Sequence, residues 1–354
     1  MRKQVGRNSQ LFVSIIIANY NSERYIVACL KSVLKADYLS FEVIIVDSAS
    51  NDKSRELIKK KFGKEKQLKL VELEENKGPT YSRNLGVKKS KGKYLVFLDN
   101  DTIVAKDWLK KTVKFMEENK DVGGGQLKLL RMDRKKIFDS AGDKISPFGF
   151  LAERAQEAED KGQFDKADEI ISGKGAGILV RRKVFEQVGG LDEDLFMYWE
   201  EPDLLWRIWK SGYQVVFLWM GKVWHAYGTK IKPVAEDWQI KIVYLGCRNQ
   251  LMTIIKNGVG WRLVKMVIVV SLAWLGLLAM FLIKFDFKRV KAVMQAWGWL
   301  IGNWKLVLKK RRELQKRLGK KYFKDDQWWE KIVDKRGWQW YWGKGISYIL
   351  GKPY

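Results

Sequence analysis

An α/β fold built on a mostly parallel sheet is predicted by three observations. Short β-branched or apolar runs alternate with helical patterns through the first half of the chain. Three of those runs end in polar side chains: Asn19, Asp47, and Asp99 with Asp101. Residues 94–98 (YLVFL) are continuously apolar and lead straight into Asp99-Asn100-Asp101, as a strand buried on both faces would. In an open α/β sheet, ligands bind beyond the carboxyl ends of the strands, so these acids stand where a ligand is expected.

The elements follow in order. Residues 11–18 (LFVSIIIA) read as the first strand. Asn19-Tyr20-Asn21-Ser22 breaks it, and Ser22 is the expected N-cap of a helix with Tyr25, Ile26, Cys29, Leu30 and Val33 on one face. Residues 41–47 form a second strand ending in Asp47. A turn at 48–52 precedes a helix carrying Leu57, Ile58 and Phe62. A third strand at 68–73, a loop at 75–79 and a helix at 80–89 lead to the strand at 94. This order implies right-handed crossovers. Residues 108–119 read as a helix. Gly123-Gly124-Gly125 is expected to open a less regular stretch, and the polar segment 153–169 reads as a mobile loop or short helices.

Small residues at 172–177 (SGKGAG) precede a strand at 178–180. They suit either a close approach to the backbone or an ordinary turn. A short helix at 185–188 follows. Pro202 fits the first turn of the next helix, where Glu200, Glu201 and Asp203 suit the dipole and Asp203 can pair with Arg207. Residues 213–218 form a further strand, and Val223-Trp224-His225 follows it.

Two carboxylates one residue apart repel unless a cation lies between them, and hard oxygen ligands suit Mg²⁺ or Mn²⁺. Asp99 and Asp101 are therefore candidate ligands, with an Asp-rich turn as the plain structural alternative. His225 is the one histidine of the chain and a candidate third ligand.

Charge is unevenly spread. The chain of 354 residues has 67 Lys and Arg against 41 Asp and Glu, a net charge of +26. Residues 254–354 hold 22 basic and 6 acidic side chains, and 10 of the 17 Trp. Such a surplus suits anionic lipid, a phosphorylated substrate or nucleic acid. The chain shows no nucleic-acid motif and its basic residues flank an apolar run, so no nucleic-acid partner is expected. Cys29 and Cys247 stand in no metal-ligand spacing, which argues against a disulfide scaffold and for a reducing compartment. Residues 1–10 read as a basic tail without the apolar core of a signal peptide.

An ordered set of motifs now bears on function: SIIIANYN at 14–21, VDSASND at 46–52, ENKGPTYSRNLG at 75–86, FLDND at 97–101, GAGILVRRKVFEQVGGLDE at 175–193, FMYWEEPDLLWR at 196–207 and VWH at 223–225. Together they resemble a family 2 glycosyltransferase of the GT-A fold, most like bacterial rhamnosyltransferase-type enzymes. The resemblance spans roughly residues 11–250. It implies a metal-dependent, inverting transfer from a nucleotide-sugar donor, dTDP- or UDP-linked, to an acceptor hydroxyl. Asn19, Asp47, Asn76 and Arg83 would contact the nucleotide, with Asp47 on the base. Asp99 would lie near ribose and metal, Asp101 would ligate the metal, and His225 would complete metal or diphosphate binding. Glu201 aligns with the general base, with Glu200 as the alternative, and Gly175, Ala176 and Gly177 would border the donor sugar. The chain departs from the family at Ala18-Asn19, where Pro-Thr is common, and at Glu201, where Asp is usual. It lacks the Q-x-x-R-W pattern of processive synthases, which implies addition of one or a few sugars. A catalytically inactive, membrane-bound glycan-binding scaffold is the competing class.

Residues 266–283 contain no charge and would make about 27 Å of helix, enough to cross a bilayer. A second apolar, Trp-rich stretch at 290–308 is interrupted by Lys291 and Lys305. Basic residues flank both, so a hairpin or two helices lying in the interface would keep the flanks on the cytoplasmic face. The expected organisation is a tail at 1–10, a GT-A domain at 11–250, an apolar helical membrane region at 251–312, and a basic Trp-rich tail at 313–354 against anionic head groups. The expected acceptor is a lipid-linked or nascent cell-surface glycan, as in cell wall polysaccharide biosynthesis.

Overall fold

The computed structural model describes residues 12–226, 236–324 and 328–336. The expected tail at 1–10 and the last residues of the chain lie outside that set. Strand and helix alternate as expected through β1 (Val13–Asn19), α1 (Ile26–Leu34), β2 (Phe41–Ser48), α2 (Ser54–Phe62), β3 (Leu68–Leu73), α3 (Gly78–Lys88) and β4 (Tyr94–Asp99). β1 pairs in parallel with β2 and β4, and β2 with β3. The continuous apolar runs are explained by burial on both faces. Ile16, Ile44, Leu95 and Phe97 enter one core, while Ile15, Ile17, Val43, Ile45, Val96 and Leu98 enter the other.

The chain continues through β5 (Thr102–Val104), α4 (Trp108–Glu118), β6 (Val122–Arg131), β7 (Phe138–Ser140), β8 (Asp143–Ile145), β9 (Leu151–Glu153), β10 (Gly177–Arg181), α5 (Arg182–Val188), α6 (Glu200–Lys210) and β11 (Gln214–His225). The sheet order is β3-β2-β1-β4-β10-β6-β11-β5, with β7 paired to β6. β10 runs antiparallel to both β4 and β6, which makes the sheet mixed at its centre. β11 passes a bulge between Leu218 and Lys222, so Val223-Trp224-His225 belongs to the same strand.

Three expectations need correction. Ser22 does not cap α1 with its side chain. Its carbonyl accepts from the Tyr25 and Ile26 amides at 2.9 and 3.0 Å, while its hydroxyl donates to Asn19 Oδ1. Nor does Gly123 open an irregular stretch: Gly123, Gly124 and Gly125 sit inside β6, a fully buried central strand. A Cβ on Gly123 would lie 2.7 Å from Ile208 and one on Gly124 2.6 Å from the Leu179 carbonyl, while on Gly125 it would strike the Val216 carbonyl. The glycines let neighbouring strands and α6 close on β6. The polar segment 153–169 contains no helix and is tied down by ion pairs, Lys128 to Asp160 at 2.9 Å and Arg154 to Asp168 at 2.7 Å.

Among the described residues, five α-helices follow: α7 (Glu236–Asn257), α8 (Gly260–Ile283), α9 (Phe287–Gly302), α10 (Trp304–Leu318) and α11 (Trp329–Ile332). The expected boundary at 250 falls inside α7, which buries Arg248, Asn249, Gln250, Lys256 and Asn257. The second apolar stretch is not one helix; it breaks at Asn303 between α9 and α10. Among the described residues, α8 alone is long and apolar enough to cross a membrane by length and composition. Its Met266 and Val270 are buried in the core, while Trp261, Val264, Ile268, Leu272 and Leu275 are exposed. Trp328 and Trp329 do not face head groups. Both are buried, with Trp328 stacked on Trp209 at 5.3 Å between ring centroids.

Candidate active site

Parallel register gathers the polar strand ends on one edge: Asn19 lies opposite Asp47, and Ala18 opposite Asp99. The chain turns at Asn100-Asp101 and returns as β5, whose Thr102 pairs with His225 of β11. That pairing brings His225 Nε2 to 3.3 Å from Asp101 Oδ1. Asp99, Asp101 and His225 offer three donor atoms that all lie within 4.8 Å of one another. Two hard carboxylates and an imidazole are a suitable donor set for Mg²⁺ or Mn²⁺.

Sequence reasoning missed Asp139 of β7. Its Oδ2 lies 2.8 Å from His225 Nδ1 and its Oδ1 accepts from Lys174 Nζ at 2.7 Å. A carboxylate on Nδ1 directs Nε2 toward Asp101, the arrangement that orients a metal-ligating histidine. Burial alone would lower the His225 pKa, but its bonds to Asp101 and Asp139 reverse this and raise it to about 10.

Arg83, on α3, is the hub on the facing side. Its Nη2 donates to Asp99 Oδ1 at 2.9 Å, and its Nη1 to Glu201 Oε1 at 2.8 Å and Glu200 Oε1 at 3.2 Å. Burial, then the charge of Glu201, holds the Glu200 carboxyl well above the usual carboxylate range. Its Oε2 is buried without a hydrogen-bond partner. Two adjacent carboxyls behind one guanidinium thus differ: Glu200 is enclosed, and Glu201 is the more exposed at 13% against 4%. Both border a cavity of about 820 Å³, as do Asn19, Asn76, Arg83, Asp99, Asp101 and His225.

The other expected residues divide. Gly175 borders the cavity, and a Cβ there would strike Arg83 Nη2 and Glu201 Oε1. Ala176 instead packs in the core, and a Cβ on Gly177 would meet Leu129 at 2.9 Å. Asp47 is wholly buried. It accepts from Asn19 Nδ2 at 2.7 Å, from the Ser50 amide and hydroxyl at 2.9 and 2.6 Å, and from Arg55 Nε. Burial opposes its charge, but those bonds hold its pKa below the usual carboxylate value. These bonds make Asp47 a brace for Asn19, which borders the cavity, while Asp47 itself stands behind it. Asn76 is exposed, and its Oδ1 accepts from the Gly78 amide at 2.9 Å. The cavity also gains Tyr198, Trp199 and, from α7, Trp238, none of which spacing alone singled out.

A curled, mostly parallel sheet flanked by helices, with acids gathered at its carboxyl edge, is the GT-A architecture. Residues 14–189 match the model of glycosyl transferase family 2 and belong to that family. An uncharacterised glycosyltransferase of Haemophilus influenzae is 37% identical over 134 residues, covering 35% of this chain and 54% of the relative. The poly(ribitol-phosphate) beta-N-acetylglucosaminyltransferase TarS of Staphylococcus aureus is 36% identical over 109 residues, 30% of this chain and 19% of the relative. The chain thus spans about half or less of the length of these relatives. Among solved structures, the mannosyltransferase PcManGT from Pyrobaculum calidifontis in complex with GDP-Man and Mn²⁺ superposes with a TM-score of 0.53. It is 18% identical, covers 98% of this chain and 89% of that one, and shares the fold.

Proposed function

We propose that the protein is an inverting, non-processive glycosyltransferase that moves a sugar from a nucleotide-sugar donor to a hydroxyl of a lipid-linked or cell-surface glycan. One observation carries this reading: a single cavity is bordered by the Asp99–Asp101–His225 donor set and by the Glu201 carboxylate, with Arg83 bonded to Asp99 and Glu201 at once. Asp99, Asp101 and His225 would hold Mg²⁺ or Mn²⁺, which supplies Lewis-acid neutralisation of a diphosphate leaving group. Glu201 takes the proton from the acceptor hydroxyl, which is a poor nucleophile until a carboxylate receives it. Burial and the neighbouring Glu201 hold the Glu200 carboxyl well above the usual carboxylate range, which makes it the poorer proton acceptor of the pair. Arg83 fixes the Glu201 carboxylate, and Gly175 leaves room for both. The aromatic rings of Tyr198, Trp199 and Trp238 offer faces for a sugar ring. Rhamnose on a dTDP carrier is the finer reading and rests on the motif resemblance. The name of TarS, an N-acetylglucosaminyltransferase, and the GDP-Man in PcManGT set the competing donors.

The site is proposed to work at the cytoplasmic face of a membrane. The exposed residues of α8 recur at spacings of three and four, an apolar stripe along one side of a helix whose other side is packed on the protein. Phe287, Met294 and Ile301 continue exposed apolar surface on α9, beside the exposed Lys284, Lys288 and Lys291. One-sided exposure favours lying in the interface over crossing it. Release of free sugar from dTDP-rhamnose, UDP-GlcNAc or GDP-mannose with Mn²⁺, lost in Glu201→Gln, tests the transferase reading; an inert wild type across that panel favours the inactive scaffold.

A further inference from the structure

The first turn of α6 carries Glu200 and Glu201, and the chain enters it by an unusual route. Phe196, Tyr198 and Trp199 all hold left-handed backbone, with φ of 61°, 65° and 69°. None is glycine, so the conformation is unfavourable unless the surroundings impose it. Trp199 is the N-cap residue of α6 and makes no side-chain cap bond.

What imposes it is α7, which lies beyond the residues matched to the family. Asn249 is fully buried, and its Nδ2 points at three carbonyls of this entry segment: Leu195 at 2.8 Å, Met197 at 2.9 Å and Tyr198 at 2.9 Å. Arg248 Nε donates to Asn249 Oδ1 at 2.8 Å, which fixes which way the amide faces. The same guanidinium donates to the Asp194 carbonyl at 2.7 Å and lies 4.8 Å from the Trp299 ring of α9. From α3, Thr80 Oγ1 holds the Phe196 carbonyl at 2.7 Å.

We propose that Asn249, oriented by Arg248, is a positioning residue: it pins the segment 195–199, with its three left-handed residues, and thereby sets Glu201 against the cavity. Asn249 itself does not border that cavity, so it acts through the backbone. The proposal rests on the reading of Glu201 as base, but its physical half does not. Asn249→Asp is the discriminating variant, because it keeps the size and replaces the N–H donors with an oxygen facing three carbonyls. Amide hydrogen exchange over residues 196–204 is expected to accelerate in Asn249→Asp, with the strands of the sheet unchanged. Transfer or donor hydrolysis is expected to lose about 10- to 100-fold in kcat, with KM for the donor within about two-fold, as for a misplaced catalytic group. Thr80→Val is expected to give a smaller loss of the same kind. Should Asn249→Asp not fold, Arg248→Lys carries the test, since it retains charge but loses the Nε bond. Unchanged exchange at 196–204, or a KM loss as large as the kcat loss, overturns the proposal. Accelerated exchange in Asn249→Asp, together with a wild type that hydrolyses no donor, upholds the clamp and instead defeats the transferase reading.

Discussion

Arg83 Nη1 lies 2.8 Å from Glu201 Oε1, inside a site where the same guanidinium also reaches Asp99. This contact orders the roles of the two neighbouring glutamates. Both bond Arg83 and border the cavity, but Glu201 makes the shorter contact and is the more exposed, while burial raises the Glu200 pKa.

Glu201→Gln is therefore expected to lower kcat by about 100-fold or more, with donor binding retained. Glu200→Gln should keep most activity, because an amide resembles a neutral carboxyl. Its stability follows from linkage. A carboxyl whose folded pKa is raised binds its proton more tightly in the native state, so stability falls as pH rises from about 4.5 toward the folded value. Glu200→Gln removes that slope. Its melting temperature should equal or exceed that of the wild type at pH 8, with the gap closing by pH 5, as read by thermal melts across pH.

Asp139→Asn tests the support of His225. The 2.8 Å contact to Nδ1 sets the ring's orientation, and loss of such a partner costs about 10- to 100-fold in metal affinity. Mn²⁺ titration by calorimetry should show that loss, and His225→Ala at least as large a one. Affinity unchanged in Asp139→Asn would remove it from the site.

Much of this site was legible and part was not. The acids at 99 and 101 were readable because strand ends are local features, and parallel pairing puts them beside Asn19 and Asp47. Asp139 was not, since it meets His225 across 86 residues and only β7 pairing brings it there. The glycines of β6 misled for a physical reason: glycine usually marks a turn, and here it marks backbone packed against backbone. The bonds of Asp47 to Ser50 and Arg55 were not legible either, because they depend on how the turn after β2 and α2 fold back on the strand end.

Gly175→Ala should close the gap that Arg83 and Glu201 share. A methyl there meets both polar groups, so one must move. Activity is expected to fall about ten-fold or more, in line with a small displacement of a reacting group. Melting curves should show the fold retained, and full activity would mean that Glu201 has another working position.

The apolar stripe of α8 gives a surface prediction. Flotation with vesicles of mixed phosphatidylglycerol and phosphatidylcholine should carry the wild type upward. The double variant Ile268→Glu with Leu272→Glu should lower the bound fraction about ten-fold or more, given two exposed side chains lost from the lipid-facing side. Equal flotation of both proteins would place the contact elsewhere.

The central claim is that the Asp99–Asp101–His225 corner and Glu201 form one donor-handling site. Its most direct test is hydrolysis of dTDP-rhamnose, UDP-GlcNAc and GDP-mannose with Mn²⁺, comparing wild type, wild type with EDTA, and Asp101→Ala. One donor should be hydrolysed by the wild type, and that activity should vanish both with EDTA and in Asp101→Ala. Hydrolysis that survives both treatments would contradict the account.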